Sequence, residues 1–200
     1  MRGKGLTLEL IVETATKLIE EKGYDNFSLR ELSAHLNVKA ASLYNHIGSV
    51  EDINREVSNF AVGKMNAMLL KTIGEKVRDE AIKAVADAYR QFAKNNPELY
   101  RTILALPTLD TGDGLRDIGK PNLDIIRRVL QQYNIPDKIE TNYMRSLRSA
   151  MHGFVTLETA GYFTKADVDV DESYQFMTAA YIDLIHSLEK QYRQSAMEEC

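Results

Sequence analysis

Apolar residues recur at helical spacing along almost the whole chain, and no alternating strand pattern competes with it. Leu8, Ile11, Val12, Ala15, Leu18 and Ile19 place one apolar stripe on a first helix over Leu8–Lys22. Thr7 stands at its N-cap, Leu6 is set to staple against Ile11, and Gly23 ends it with a left-handed residue. A stronger start follows, where Ser28 and Glu31 spell a capping box between Phe27 and Leu32 at the staple positions. Leu29, Leu32 and Leu36 give a short second helix one apolar face. Asn37 tolerates left-handed backbone better than other residues with a side chain, so the chain turns sharply there. Val38 plugs the corner, and a third helix begins near Lys39 and buries Leu43 and Ile47. Gly48-Ser49 breaks the pattern again, and Ser49 with Asp52 caps a fourth helix reaching about Lys71. Two short helices joined by a tight turn are the helix-turn-helix pattern.

Beyond residue 75 the predicted helices lengthen. One covers about 76–94, and Asn96-Pro97 starts another to about Leu106. Pro107–Gly119 reads as a loop rich in Pro, Gly and Asp. Helices over about 121–133 and Asp137–Phe163 follow, and a last one starts at Asp169, with Glu172 at its capping-box position, and runs to about Ser195. The fold class is all-α. We expect a helix-turn-helix domain over 1–54, a connecting helix over about 50–71, and a larger helical domain over 72–200.

Composition and charge narrow the function. The 200 residues are 44% hydrophobic and 27% charged, enough for a sizeable core. No run approaches the ~18 apolar residues of a membrane span, and the N-terminus lacks an apolar signal core. One cysteine, Cys200, excludes a disulfide scaffold or zinc finger within one chain and fits a reducing, cytoplasmic setting. The net charge is −4, but the first 50 residues balance six basic against six acidic side chains. An anion-binding surface is therefore expected only near the N-terminus, and it must be local.

The third helix supplies such a surface. Its first turn is small-sided (Ala40, Ala41, Ser42), so its backbone can approach a groove about 12 Å wide, where small and hydroxyl side chains reach base edges. Tyr44 and His46 at its far end, with Ser28 at a helix N-terminus on the other side, suit hydrogen bonds to phosphates. Lys39, Asn45, Arg30 and the basic residues Arg2 and Lys4 complete the candidate set for double-stranded DNA. The plain alternative is a solvated face with two aromatic plugs, which fits Tyr44 alone as well but the whole constellation poorly.

Residues 7–54, with the first-helix stripe, Gly23 before an aromatic, the capped second helix and the segment V-x-x-x-S-L-Y-x-H-I, resemble the DNA-binding domain of the TetR family of transcriptional regulators. The resemblance implies phosphate contacts from Ser28, Tyr44 and His46, with Lys39 to Ser42 and Asn45 facing base edges. Two positions depart from the family pattern. Lys39 stands where Ser or Thr usually caps the recognition helix, and Val50 where a Lys usually begins the fourth. Residues 144–163 resemble the C-terminal domain of a subgroup marked by Trp-His-Gly, here Met151-His152-Gly153. That resemblance implies a ligand-binding and dimerisation domain.

Eight of the ten tyrosines lie beyond residue 71, interleaved with methionines. Such residues line cavities for an apolar or aromatic effector, although for any single one core filling is the commoner role. Tyr89, Phe92, Tyr100, Leu104, Met151, His152 and Thr156 are the pocket candidates. Phe154, Leu157 and Gly161, with Phe176, Ala180, Leu184 and Leu188, form wide apolar faces suited to a four-helix interface between two copies.

Tempting motifs fail. The acidic stretch 167–172 has Glu172 where a calcium loop turns on glycine. The four histidines lack metal spacing, so no metal, cofactor or catalytic role is expected. The expectation is a ligand-responsive repressor that binds a palindromic operator as a homodimer. The competing expectation, favoured by Lys39, Val50 and the neutral first quarter, is a small-molecule-binding or protein-interaction module with a degenerate DNA-reading helix.

Overall fold

The computed structural model describes residues 5–105, 120–165 and 167–198. Arg2, Lys4, Cys200 and the expected loop at 107–119 lie outside them. Among the described residues every regular element is helical: α1 (Leu8–Lys22), α2 (Leu29–His35), α3 (Ala40–Leu43), α4 (Val50–Ile73), α5 (Arg78–Asn95), α6 (Pro97–Ala105), α7 (Lys120–Leu130), α8 (Asp137–Thr159) and α9 (Val170–Glu198), with a 3-10 turn at Tyr24–Asn26. They group into two compact units. The first holds the described residues through Met65 together with Asn95–Ala105, and the second holds Asn66–Lys94 with the described residues from Lys120 onward. Helix α6 therefore belongs to the first unit, although the chain order assigned it to the domain expected over 72–200.

In the first unit α1 buries Ile11, Val12, Ala15, Leu18 and Ile19, the stripe its spacing predicts, while Leu8 stays exposed. Its Thr7 cap accepts from the Leu10 amide at 3.2 Å. Gly23 ends the helix at φ +91°, ψ 148°, a glycine-only conformation outside the left-handed helical region expected there. Ser28 caps α2 through the Glu31 amide at 3.3 Å, and Leu32 is fully buried above it. Asn37 adopts φ +53°, and the Val38 amide closes the corner on the Ser33 carbonyl at 3.0 Å. The third helix is shorter than its pattern predicts. Regular structure ends at Leu43, and turns carry the chain on until the Ile47 amide meets the Leu43 carbonyl at 3.1 Å. Leu43 and Ile47 are nonetheless both buried.

In the second unit α5, α7, α8 and α9 share a core including Ile82, Phe92, Leu130, Leu147, Met151, Val155, Tyr174 and Ile185. Helix α7 stops at Leu130 rather than near 133, its carbonyls satisfied by the Gln132 and Tyr133 amides. Helix α8 stops at Thr159 and does not reach Phe163. Gly161 at φ +75° lets the Tyr162 amide fold back to the Leu157 carbonyl and its own amide to Glu158, a C-terminal cap that overrides the apolar pattern continuing beyond it. Asp169 opens α9, its carboxylate accepting from the Asp171 amide at 2.6 Å.

Two polar knots tie the unit together. Arg90 forks onto both oxygens of Glu158 at 2.7 and 2.6 Å, reaches Asp171 at 2.7 Å, and lies over the Tyr174 ring. Arg78, itself at φ +48°, pairs with Glu189 at 2.6 Å and donates its backbone amide to Gln132. Beside it Asp79 accepts from Tyr133 at 2.6 Å and meets His186 at 2.8 Å.

Candidate nucleic-acid interface

The reading segment is short because its two neighbours supply the rigidity. Ser28 fixes the start of α2, Asn37 the turn, and a reciprocal pair the start of α4. Ser49 accepts from the Asp52 amide at 3.1 Å, while Asp52 accepts from the Gly48 amide at 3.0 Å. Between them Leu43 and Ile47 anchor α3 inward, so its other side faces solvent. Lys39, Ala40, Ala41, Asn45 and His46 are exposed, Tyr44 is 55% exposed, and Ser42 is half-buried. Ser28 and Arg30 are exposed too. All the described members of the sequence-derived set thus have surface, and small side chains occupy the first turn. Lys39 makes no side-chain capping bond at the start of α3, as its type predicts. Val50 is exposed and apolar at the start of α4.

Charge on this face is sparse and partly neutralised. Lys22 holds Glu31 at 2.5 Å and keeps its carboxyl below the usual carboxylate range, so the acid beside the Ser28 cap stays ionised but compensated. Arg55 is occupied by Asp52. Sequence patterning missed the Lys22–Glu31 pair, since an i,i+9 contact between two helices leaves no periodic trace.

The pocket candidates are divided between the two units. Tyr89, Phe92, Met151, His152 and Thr156 belong to the second unit, Tyr100 and Leu104 to the first. Tyr89, Phe92, Tyr100 and Met151 are buried, His152 is half-buried, and Leu104 and Thr156 are exposed. Burial, then the nearby Arg148, lower the His152 pKa and favour its neutral form at pH 7. Of the interface candidates, Leu157, Gly161, Ala180, Leu184 and Phe176 are exposed, the last at 79%. Leu188 is half-buried. Phe154 is half-buried and packs against rings of its own unit, with ring centroids 4.8 Å from Phe163 and 5.0 Å from Tyr174. Gly161 serves a helix end.

No described helix is long and apolar enough to cross a membrane. Residues 11–57 match the family model of bacterial regulatory proteins of the tetR family, and residues 82–181 match that of the tetracyclin repressor-like C-terminal domain. The uncharacterized HTH-type transcriptional regulator Rv0681 of Mycobacterium tuberculosis is 29% identical over 82% of this chain and 75% of its own. YobS of Bacillus subtilis, another uncharacterized HTH-type transcriptional regulator, is 28% identical over 89% of this chain and 92% of its own. A 46-residue stretch, 23% of this chain and 25% of its counterpart, is 44% identical to IcaR of Staphylococcus epidermidis, a negative transcriptional regulator of a biofilm operon. Among solved structures, apo ActR of Streptomyces coelicolor superposes with a TM-score of 0.74 at 16% identity, covering 94% of this chain and 99% of that one. A TetR variant of Acinetobacter baumannii in complex with minocycline gives 0.69 at 16% identity, covering 92% and 98%. With both halves of the chain matched, the protein belongs to the TetR family of bacterial transcriptional regulators.

Proposed function

We propose that this regulator represses transcription by binding a palindromic operator as a homodimer, and that a small apolar or aromatic molecule relieves it. The observation that carries the reading is the outward face of α3 and the turn after it, with small side chains on the helix, Tyr44 and His46 on the turn, and a capped helix on each side. Each protomer would lay this helix in a major groove, with half-sites about 34–36 Å apart. Ser28, Tyr44 and His46 take phosphates; Lys39, Ala40, Ala41, Ser42 and Asn45 face bases; Arg30 adds charge. The exposed rows of α8 and α9, Leu157 with Phe176, Ala180 and Leu184, support the dimer. Ligand recognition is assigned to the domain over 72–200, with Met151-His152-Gly153 standing where the Trp-His-Gly subgroup has its motif. Negative regulation by IcaR favours repression, and the minocycline complex of the TetR variant favours a small-molecule effector. A ligand switches the protein only by binding the DNA-competent and DNA-incompetent states unequally.

The test is selection of duplexes from a random library, followed by footprinting and a salt series. A palindromic footprint whose affinity falls between 50 and 200 mM salt supports the reading. Failure to enrich any duplex refutes it and favours the competing module, a small-molecule binder with a decayed reading helix. Exposed Val50 and the uncapped Lys39 are the observations on that side.

A further inference from the structure

The turn that carries the chain from α1 to the cap of α2 is completed by a side chain 74 residues away. Gly23 occupies the N-cap position of the 3-10 turn and has no side chain to cap it. The Tyr24 amide, first of the turn, is instead accepted by Glu98 Oε2 of α6 at 2.8 Å. Arg101, one turn further along α6, donates to the same oxygen at 3.2 Å and to Asp25 Oδ2 at 2.6 Å. A Cβ at position 23 would meet Glu98 Oε2 at 3.6 Å, and any side chain there would be strained at φ +91°. Glycine therefore satisfies the backbone while the carboxylate supplies the cap.

Helix α6 is firmly seated for this task. Leu99 and Thr102 are buried, and Ser58 donates to the Thr102 carbonyl at 2.9 Å. Downstream of the capped amide little slack remains. Asn26 Nδ2 donates to the Lys22 carbonyl at 2.8 Å, the Phe27 amide to the Tyr24 carbonyl at 3.4 Å, and Ser28 begins α2. A charge-assisted bond to the carboxylate is stronger and more directional than a bond to water.

We infer that Glu98 is a positioning residue for DNA binding: by capping the Tyr24 amide from α6 it fixes the turn that presents Ser28 and the N-terminus of α2 to a phosphate. The inference rests on the interface reading proposed above. DNA affinity then depends on a side chain that does not touch DNA.

The test uses the full chain and a duplex selected by the wild-type protein from a random library, with affinity read by fluorescence anisotropy and Tyr24 amide exchange by NMR. Glu98→Ala should weaken binding about five- to tenfold and speed exchange at Tyr24. Glu98→Gln, whose amide oxygen still accepts, should restore most of both. In a Ser28→Ala background Glu98→Ala should cost less than about twofold, because the contact it serves is already gone. A general loss of stability would add in full to Ser28→Ala, and that result overturns the inference while leaving the interface reading intact. Wild-type affinity in Glu98→Ala with accelerated Tyr24 exchange also overturns it. Wild-type affinity in Ser28→Ala overturns the interface reading at α2 and the inference with it. Should Glu98→Ala fail to fold, Arg101→Gln loosens the same clamp from the surface and should weaken binding about twofold, again only when Ser28 is present.

Discussion

Replacing Arg90 by Met tests the main electrostatic clasp of the second unit. The Arg90 side chain is 12% exposed and forks onto Glu158, whose side chain is 15% exposed, while Asp171 at 66% is largely in water. Methionine keeps most of the side-chain volume beside Tyr174, gives up the guanidinium over its ring, and leaves Glu158 with Lys94 alone, at 3.1 Å. Removing one partner of a buried pair costs about 3–5 kcal/mol, and the surviving lysine reduces this to about 2–3 kcal/mol. For a chain of this size that corresponds to a fall in Tm of about 5–10 °C. The Arg90 hydrogen bonds, then Lys94, hold the Glu158 carboxyl below its ordinary value of 4.5. A depressed folded pKa contributes stability that is present above the unfolded value and lost as pH falls through the folded one. Wild-type stability should therefore drop below about pH 4.5, and Arg90→Met should flatten that part of the curve. Guanidinium titrations followed by circular dichroism from pH 7 to pH 3 read both quantities. The pair replacement Arg90→Met with Glu158→Gln should recover at least half of the loss, since it leaves no uncompensated buried charge. A loss below about 1 kcal/mol for Arg90→Met, or an unchanged acid limb, would refute the clasp as a stabilising element.

Asn37→Val should destabilise the first unit by about 1–2 kcal/mol, because a β-branched residue resists φ +53°, whereas Asn37→Gly should be nearly neutral; thermal melts distinguish them. Tyr44→Ala and His46→Ala should weaken binding to all duplexes alike, while Ser42→Arg should change which sequence a random library yields. Equal enrichment of the wild-type sequence by Ser42→Arg would remove α3 from the groove. Phe176→Asp, placing a charge on the exposed row of α9, should convert dimer to monomer in sedimentation at micromolar concentration; an unchanged mass would exclude that face from the interface.

Local chemistry made much of the first unit legible. The boundaries of α1, the caps at Thr7, Ser28 and Ser49, and the left-handed Asn37 all depend on residues within a few positions of one another. Where two local signals conflicted, the sequence misled. Leu157, Tyr162 and Phe163 continue an apolar rhythm, yet a glycine able to adopt positive φ ended α8 first. Partnerships across long separations were invisible. Glu98 looks like an ordinary first-turn acid of α6, and its role toward Tyr24 exists only once α6 packs against α1. Glu158 likewise gives no local sign of its partner, because Arg90, which takes up both of its oxygens, stands 68 residues earlier in the chain. The exposed small side chains of α3 stood out because their exposure follows from where Leu43 and Ile47 must point.

The corner at Asn37 has one further consequence. Its angle is set by one backbone torsion, the φ of +53° at Asn37, and closed by a bond from the Val38 amide to the Ser33 carbonyl, groups that lie within five residues of one another. The two helices it joins therefore behave as one casting, and whatever silences this regulator must carry that casting whole instead of bending it.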